Sequence, residues 1–360
     1  MVNRYKKRKD SKLGKYFQTS LPAYSSQIIY FCDYLSMDKT LQNKIDLLDV
    51  AELEQTLQEL ENCSICPRNC GANRFSKKLG YCKSDASYFI SSICIHRGEE
   101  PPISGPNGIC NIFFGHCNLQ CVYCQNHQIS FNNNPSAAQR FSLKDVLTEI
   151  VSCLDTGCEA VGFVSPSHFV PQVKVIINAL HTLDLHPIFV YNTNGYDKVE
   201  TLRDIESLVD VYLPDIKYTD PSLSRKYSDA KDYPEVAKLA FQEMYRQKGS
   251  SLITRDNGIA ERGILIRHLV LPGHAENSIN VLRFLAENIS TSIHISLMSQ
   301  YHPTHLVKHI SPINRILYNN EYQQIVKNFY DLGFRNGWIQ DMESNENYRP
   351  DFEKEHPFEG

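Results

Sequence analysis

Between Gly108 and Gln300 the chain alternates short apolar runs with segments of helical period. "GICNIFF", "AVGFV", "PIFVYNT", "DVYLPDI", "ILIRHLVLPG" and "SIHISLMSQ" are four- to eight-residue cores of Val, Ile, Leu, Phe and Tyr bounded by turn residues, the mark of buried strands. Between them, "SLKDVLTEIVSCLDTG", "PQVKVIINALHTL", "DKVETLRDIESLV" and "NSINVLRFLAEN" repeat apolar positions every three or four residues. Ser142 supplies an N-cap for the first of these helices and Gly157 its stop. Six strands, each followed by helical or looping sequence, predict a parallel α/β sheet curled as a partial (β/α)6 TIM-like barrel over residues 105–300. The stretch from Asp220 to Gly263 is a more polar excursion within it.

Upstream, Leu41, Ile45, Leu48, Leu53, Leu57 and Leu60 fall at mostly three- and four-residue steps, which predicts an amphipathic helical extension as part of a first segment, 1–61. Residues 62–104 open with "CSICPRNCGANRFSKKLGYC", rich in Gly, Pro and Asn, which reads as a loop-built knob in need of a staple. Residues 301–360 form a C-terminal extension.

In parallel α/β folds ligands collect where strands run out at the carboxyl edge. Here those ends read "GHCNLQC", "SPSHF", "NTNGYD", "PDIKY", "PGHAEN" and "SQYHP". One edge thus collects cysteines, a carboxylate, amides, histidines and a lysine, which marks it as the candidate active site.

Composition narrows the classes. With 37 Lys+Arg against 41 Asp+Glu the net charge is -4, so there is no bulk basic field for nucleic acid, and no nucleic-acid partner is expected. The one basic run, "RYKKRKDSKLGK", reads as a solvated tail, with contact to an acidic partner or RNA as the alternative. The first thirty residues lack the apolar core of a signal peptide and no stretch has the length of a membrane span, so no membrane association and a cytoplasmic location are expected. In that reducing compartment clustered thiols bind metal or do redox chemistry more often than they pair, and seven of the twelve cysteines fall in two clusters.

Cys117, Cys121 and Cys124 follow the first strand as C-x3-C-x2-C, tight enough for one loop to wrap one metal centre. A structural site wants four ligands. Three cysteines therefore fit a zinc site completed by His116 or His127, three buried small thiols, or a [4Fe-4S] cluster with its fourth iron open to an exogenous ligand.

"CNLQCVYC", with Tyr123 before its last cysteine, resembles the C-x3-C-x-aromatic-C signature of the radical S-adenosylmethionine superfamily. The resemblance implies that S-adenosylmethionine chelates the open iron and that its reductive cleavage gives a 5′-deoxyadenosyl radical, which takes a hydrogen atom from substrate. It also implies a flavodoxin- or ferredoxin-type electron donor. "YNTNGY" resembles the D-T-N-G element of the pyruvate formate-lyase activating enzyme, "LPDIKY" its D-L-K element and "SQYHP" its Y-H near the last strand. These nominate Asn192, Asn194, Asp215, Lys217 and His302 for the cofactor, with Tyr123 from the cysteine loop. Two departures stand out: Asn192 replaces a carboxylate, and "SPSHF" replaces the Gly-Gly-Glu of many members, which nominates Ser165 or Ser167 in its stead. "CSICPRNCGANR", "EEPPISGP", "LMSQYHP", "NGWIQ" and "RPDFEKEHPF" resemble the PflX-like branch of activating-enzyme relatives. That branch implies an oxidoreductase of the activating-enzyme type, with a glycyl radical enzyme or other protein as one possible substrate and a small molecule as the other.

Cys63, Cys66, Cys70 and Cys82, spaced C-x2-C-x3-C-x11-C, supply four thiolates, enough to close the sphere of a zinc ion or an auxiliary iron-sulfur cluster. Cys32, Cys94, Cys110, Cys153 and Cys158 have no comparable partners, and burial is expected for them. A non-enzymatic alternative is an interaction module with two zinc sites. The segments flanking the carboxyl edge are rich in tyrosine (Tyr218, Tyr227, Tyr233, Tyr245, Tyr301, Tyr318 and Tyr322), which suits a protein-contact surface, the roof of a small-molecule pocket, or packing inside.

Overall fold

The computed structural model describes residues 2–5, 39–76, 78–342, 344, 350–354 and 357–358. Most of the basic run, and Cys32, lie outside them. The strands are β1 (Val2–Tyr5), β2 (Tyr88–His96), β3 (Ile109–Phe114), β4 (Gln139–Phe141), β5 (Ala160–Val164), β6 (Ile188–Asn192), β7 (Val211–Tyr212), β8 (Ile253–Thr254), β9 (Ala260–Leu269), β10 (His294–Met298) and β11 (Gly337–Gln340).

Their order across the sheet is β1-β11-β10-β9-β7-β6-β5-β3-β2-β4, with β8 pairing antiparallel to β9 off this path, and every pairing along it from β3 through to β1 is parallel. The mixed α/β architecture with a parallel-dominated sheet is the one the alternation predicts, and all six anticipated strands are present. Each is covered by helices on its outer face, so β3, β5 and β6 are buried throughout. Ser142 and Asp145 form a capping box on the helix Leu143–Asp155, and Gly157 follows it at φ 95°, as the sequence predicts.

Three features differ from the sequence reading. Leu41 to Leu60 do not lie on one helix. Lys39–Asp46 ends before an exposed Leu47, and Asp49 starts a new turn by accepting the Glu52 backbone N–H at 3.1 Å, which hands over to a 3-10 helix, Glu54–Asn62. Ile45, Leu57 and Leu60 still bury beside the helices Leu143–Asp155 and Val170–Thr182, in one apolar cluster. The excursion from Asp220 to Gly263 holds two helices, Pro221–Ser228 and Tyr233–Lys248. Two further core strands also appear. β2 pairs antiparallel with β3, and β11, from the C-terminal segment, joins β10 in parallel.

Side chains alternate across each strand, so every second residue faces the interior of the curl. Its lower part is apolar: Ile109, Ala160, Ile188, Val211 and Leu265 share one cluster with Ile103, on the short helix Pro101–Ser104. Above that layer the inward positions turn polar, and the cavity begins.

Candidate active site

A cavity of about 470 Å³ opens from the carboxyl ends of β3, β5, β6, β7, β9 and β10, a size that suits a cofactor or small substrate. Cys117, Cys121 and Cys124 all line it. Their loop leaves β3 through His116, at φ 63°, a left-handed turn that swings the chain over the strand end. Asn132 then clamps the loop: its Oδ1 accepts the Cys117 N–H and its Nδ2 donates to the Cys117 carbonyl, both at 3.0 Å.

Donors converge on the sulfurs. Asn194 Nδ2 and the Leu119 N–H each reach Cys117 Sγ at 3.4 Å, and Ser228 Oγ lies 3.0 Å from Cys121 Sγ. Behind Ser228, the Tyr218 hydroxyl sits at 2.8 Å and the Tyr123 hydroxyl 2.6 Å beyond that. As free thiols these groups are poor nucleophiles, because burial pushes Cys117 up to about 12 and Cys121 up to about 11. Becoming thiolates requires a positive centre in their midst.

From the thiols a line of charge runs down into the curl. Lys217, whose ammonium burial disfavours but Asp215 and Cys121 favour more strongly, donates to Asp215 Oδ2 at 2.9 Å. Arg267 Nε takes Asp215 Oδ1 at 2.8 Å, its Nη1 takes Glu99 Oε2 at 3.0 Å and its Nη2 takes Asn192 Oδ1 at 2.5 Å. Burial alone would raise the Asp215 carboxyl, but the charges of Arg267 and Lys217 outweigh it and hold it below the usual carboxylate range. Glu99 Oε1 accepts from Asn111 Nδ2 at 3.1 Å and from Asn192 Nδ2 at 3.4 Å.

Of the residues nominated from sequence, Tyr123, Ser165, Asn192, Asn194, Asp215 and Lys217 all line this cavity with the three cysteines. His302 does not. Ser165 reaches it from a left-handed turn at φ 54°, while Ser167 is buried against the Thr193 hydroxyl at 3.1 Å. Arg267, Glu99, Glu100 and Ser296 were not anticipated. The signal for Arg267 was a lone charge inside the apolar run "ILIRHLVLP", which on a buried strand demands partners.

Gly162 supports this floor. A Cβ there would stand 2.1 Å from Asn111 Oδ1, so Gly162→Ala must displace Asn111 and break its bond to Glu99. We expect a loss of about 1–3 kcal/mol, as for other overpacked cores, read as a lower denaturant midpoint at unchanged slope.

The knob docks against the same loop. Arg68 Nε donates to the Asn118 carbonyl at 2.9 Å and its guanidinium lies 3.7 Å from the centre of the Tyr81 ring, while Asn132 Nδ2 donates to the Tyr81 carbonyl at 3.0 Å. On its other side Lys198 reaches the Ser64 carbonyl at 2.9 Å and Thr201 the Ile65 carbonyl at 2.7 Å. Cys63, Cys66 and Cys82 are buried and Cys70 is exposed. Burial pushes Cys66 up to about 12, with the other three thiols adding to the rise. Gly80 leaves room for the Cys70 sulfur, which would lie 2.4 Å from an added Cβ. Cys110, Cys153 and Cys158 are buried and Cys94 is half-buried. Five of the seven flanking tyrosines, Tyr218, Tyr227, Tyr233, Tyr301 and Tyr322, pack inside, and only Tyr318 is largely exposed.

Residues 111–286 match the model of the Radical SAM superfamily, and a match to that model implies a [4Fe-4S] cluster and S-adenosylmethionine. An uncharacterized protein of Methanocaldococcus jannaschii is 29% identical over 289 residues, 79% of this chain and 78% of its own. Among solved structures, methylornithine synthase is 14% identical with a TM-score of 0.42, over 91% of this chain and 86% of its own. SuiB of Streptococcus suis bound to S-adenosylmethionine is 13% identical with a TM-score of 0.43, over 63% and 48%. A domain of pyruvate-formate lyase-activating enzyme from Bacteroides vulgatus is 16% identical with a TM-score of 0.35, over 47% and 92%. The chain spans about half the length of the SuiB structures it matches, and likenesses this distant carry no weight for activity.

Proposed function

We propose that the protein is a radical S-adenosylmethionine enzyme in which Cys117, Cys121 and Cys124 hold a [4Fe-4S] cluster and the cavity beside them receives S-adenosylmethionine and a substrate. The observation that carries this reading is that three thiols of one loop, with donors already aimed at their sulfurs, line the same cavity as Asn192, Asn194, Asp215 and Lys217. When bound, such a cluster would supply the electron for reductive cleavage of S-adenosylmethionine to methionine and a 5′-deoxyadenosyl radical, which would take a substrate hydrogen atom to become 5′-deoxyadenosine. The chain's own work is to hold the cluster's sulfurs, to orient the cofactor's polar groups and to exclude water. The electron comes from a flavodoxin- or ferredoxin-type donor in the cytoplasm.

Two substrate readings follow. The "YNTNGY" and "LPDIKY" elements favour an activase that takes its hydrogen from a glycyl radical enzyme. The cavity favours a small molecule. Pro350 and Phe358, from the chain's own C-terminal segment, contribute to its wall, and Phe352 and Phe358 pack on Phe113 at 5.3 Å. Gln128, on the cysteine loop, fastens that segment through Asp351 at 3.0 Å and the Phe352 N–H at 2.9 Å. A partner's peptide loop would have to displace it, so the small-molecule reading is the better supported. Deuterium transfer decides: label from low-molecular-mass fractions entering 5′-deoxyadenosine is expected, and label arriving only from a protein fraction would establish the activase.

We further propose that Cys63, Cys66, Cys70 and Cys82 hold a second metal, zinc or an auxiliary cluster, that rigidifies the knob against the cysteine loop. Cys66→Ala and Cys70→Ala should each lower metal content and melting temperature while the soluble protein still cleaves S-adenosylmethionine slowly. Normal metal stoichiometry in both variants would refute the site.

A further inference from the structure

The floor of the cavity holds an uneven set of charges. Glu99, Glu100 and Asp215 are three carboxyls, against which stand two shielded cations, Arg267 and Lys217, while Arg97 at the same cavity is exposed and its charge is screened by solvent. Both cations are committed. Lys217 is held by Asp215, and Arg267 spends its bonds on Asp215, Glu99 and Asn192.

Glu100 is left over. Its backbone carbonyl begins the helix Pro101–Ser104 by accepting from Ile103 and Ser104, but its side chain caps nothing. Ser296, paired with Arg267 in the β9–β10 register, bonds its carboxyl, yet Oε2 is shielded from solvent and has no hydrogen-bond partner. Burial pushes this carboxyl up, with Glu99 adding to the rise and Arg267 opposing it. A shielded carboxyl without a cation either keeps its proton or waits for a positive ligand. Lys217, Asp215 and Arg267 run in line from beside Cys121 towards Glu99, so a molecule seated over Glu100 lies beyond the group that lies at the thiols.

We propose that Glu99, Glu100 and Ser296 form the substrate subsite, and that it takes a protonated amino group carried by a small polar molecule. The ammonium supplies the missing positive charge, donating to the Glu100 carboxyl, which turns its unpartnered oxygen to the cavity, and to the Ser296 hydroxyl. The inference rests on the radical S-adenosylmethionine reading for its placement of the cofactor at the cysteine end.

The test is binding, without turnover. The full-length protein is titrated with n-butylammonium and, separately, with butyrate of the same length, followed by ligand-observed nuclear magnetic resonance, with and without S-adenosylmethionine. Butylammonium should bind and butyrate should not, saturating S-adenosylmethionine should not compete, and Glu100→Gln should weaken butylammonium by about 10-fold or more, the worth of a charge-assisted hydrogen bond. Glu100→Asp should restore part of the loss, and Ser296→Ala, which leaves the carboxylates in place, should weaken binding less. Equal binding of butyrate, undiminished binding to both Glu100→Gln and Ser296→Ala, or displacement by S-adenosylmethionine would each overturn the proposal. Failure of the radical reading would show separately, as a protein that binds butylammonium but takes up no iron.

Discussion

Replacing Cys121 by alanine is expected to abolish 5′-deoxyadenosine formation by the reconstituted, dithionite-reduced protein, and Cys117→Ala and Cys124→Ala should do the same. On the proposed reading the fourth position of the cluster belongs to the cofactor, so no spare ligand can stand in for a lost thiolate. Ser228→Ala is the informative control. It removes the hydroxyl 3.0 Å from Cys121 Sγ and leaves all three sulfurs, so activity should fall by no more than about 10–100-fold, the range for residues that support a metal ligand. Parent-rate product from Cys121→Ala would show that the cluster is not held there.

The second large effect is on stability. Arg267→Ala should cost about 3–5 kcal/mol, because it leaves Asp215 and Glu99 shielded without their guanidinium. The pH dependence has a definite sign. Arg267 and Lys217 lower the folded-state Asp215 carboxyl, so its contribution is complete above the unfolded carboxylate value of roughly 3.9 and is lost as pH falls through the folded value. Without Arg267, burial raises that carboxyl instead, and the native state at neutral pH must bury a poorly paired charge. The gap in denaturant midpoint between parent and variant should therefore be widest near neutrality and narrow in acid. Arg267→Lys, which keeps one charge but cannot reach three partners, should recover only part of it. A pH-independent gap would place the effect in packing.

How much of this was legible in the sequence divides by range. The strands β3, β5, β6, β7, β9 and β10 could be read because a strand buried on both faces writes its apolar run locally. The cysteine loop could be read because three thiols within eight residues have few uses. The floor of the cavity could not, since Glu99 and Arg267 are 168 residues apart and meet only when β9 curls round beside the segment after β2. Likewise Arg68 carries no mark that it will dock on Asn118, 50 residues on, and tie the knob to the cysteine loop. The tyrosines were legible as amphipathic, but whether Tyr227 and Tyr233 faced out or in depended on the helices that carry them, Pro221–Ser228 and Tyr233–Lys248, in a stretch read as an excursion. β11 was missed because "GWIQ" is four residues long and lies past the last anticipated strand. His302 was nominated from a string match, and a neighbour in sequence, Gln300, reaches the cavity in its place.

The central claim is that a cluster on Cys117, Cys121 and Cys124 has an iron open to S-adenosylmethionine, and electron paramagnetic resonance tests it most directly. The protein is reconstituted anaerobically with iron and sulfide, reduced, and recorded with and without the cofactor, beside Cys121→Ala as the blank. The account predicts a reduced [4Fe-4S] signal in the parent, absent from the blank, whose shape changes when S-adenosylmethionine is added. A signal that survives in Cys121→Ala, or one that saturating S-adenosylmethionine leaves unchanged, would contradict it.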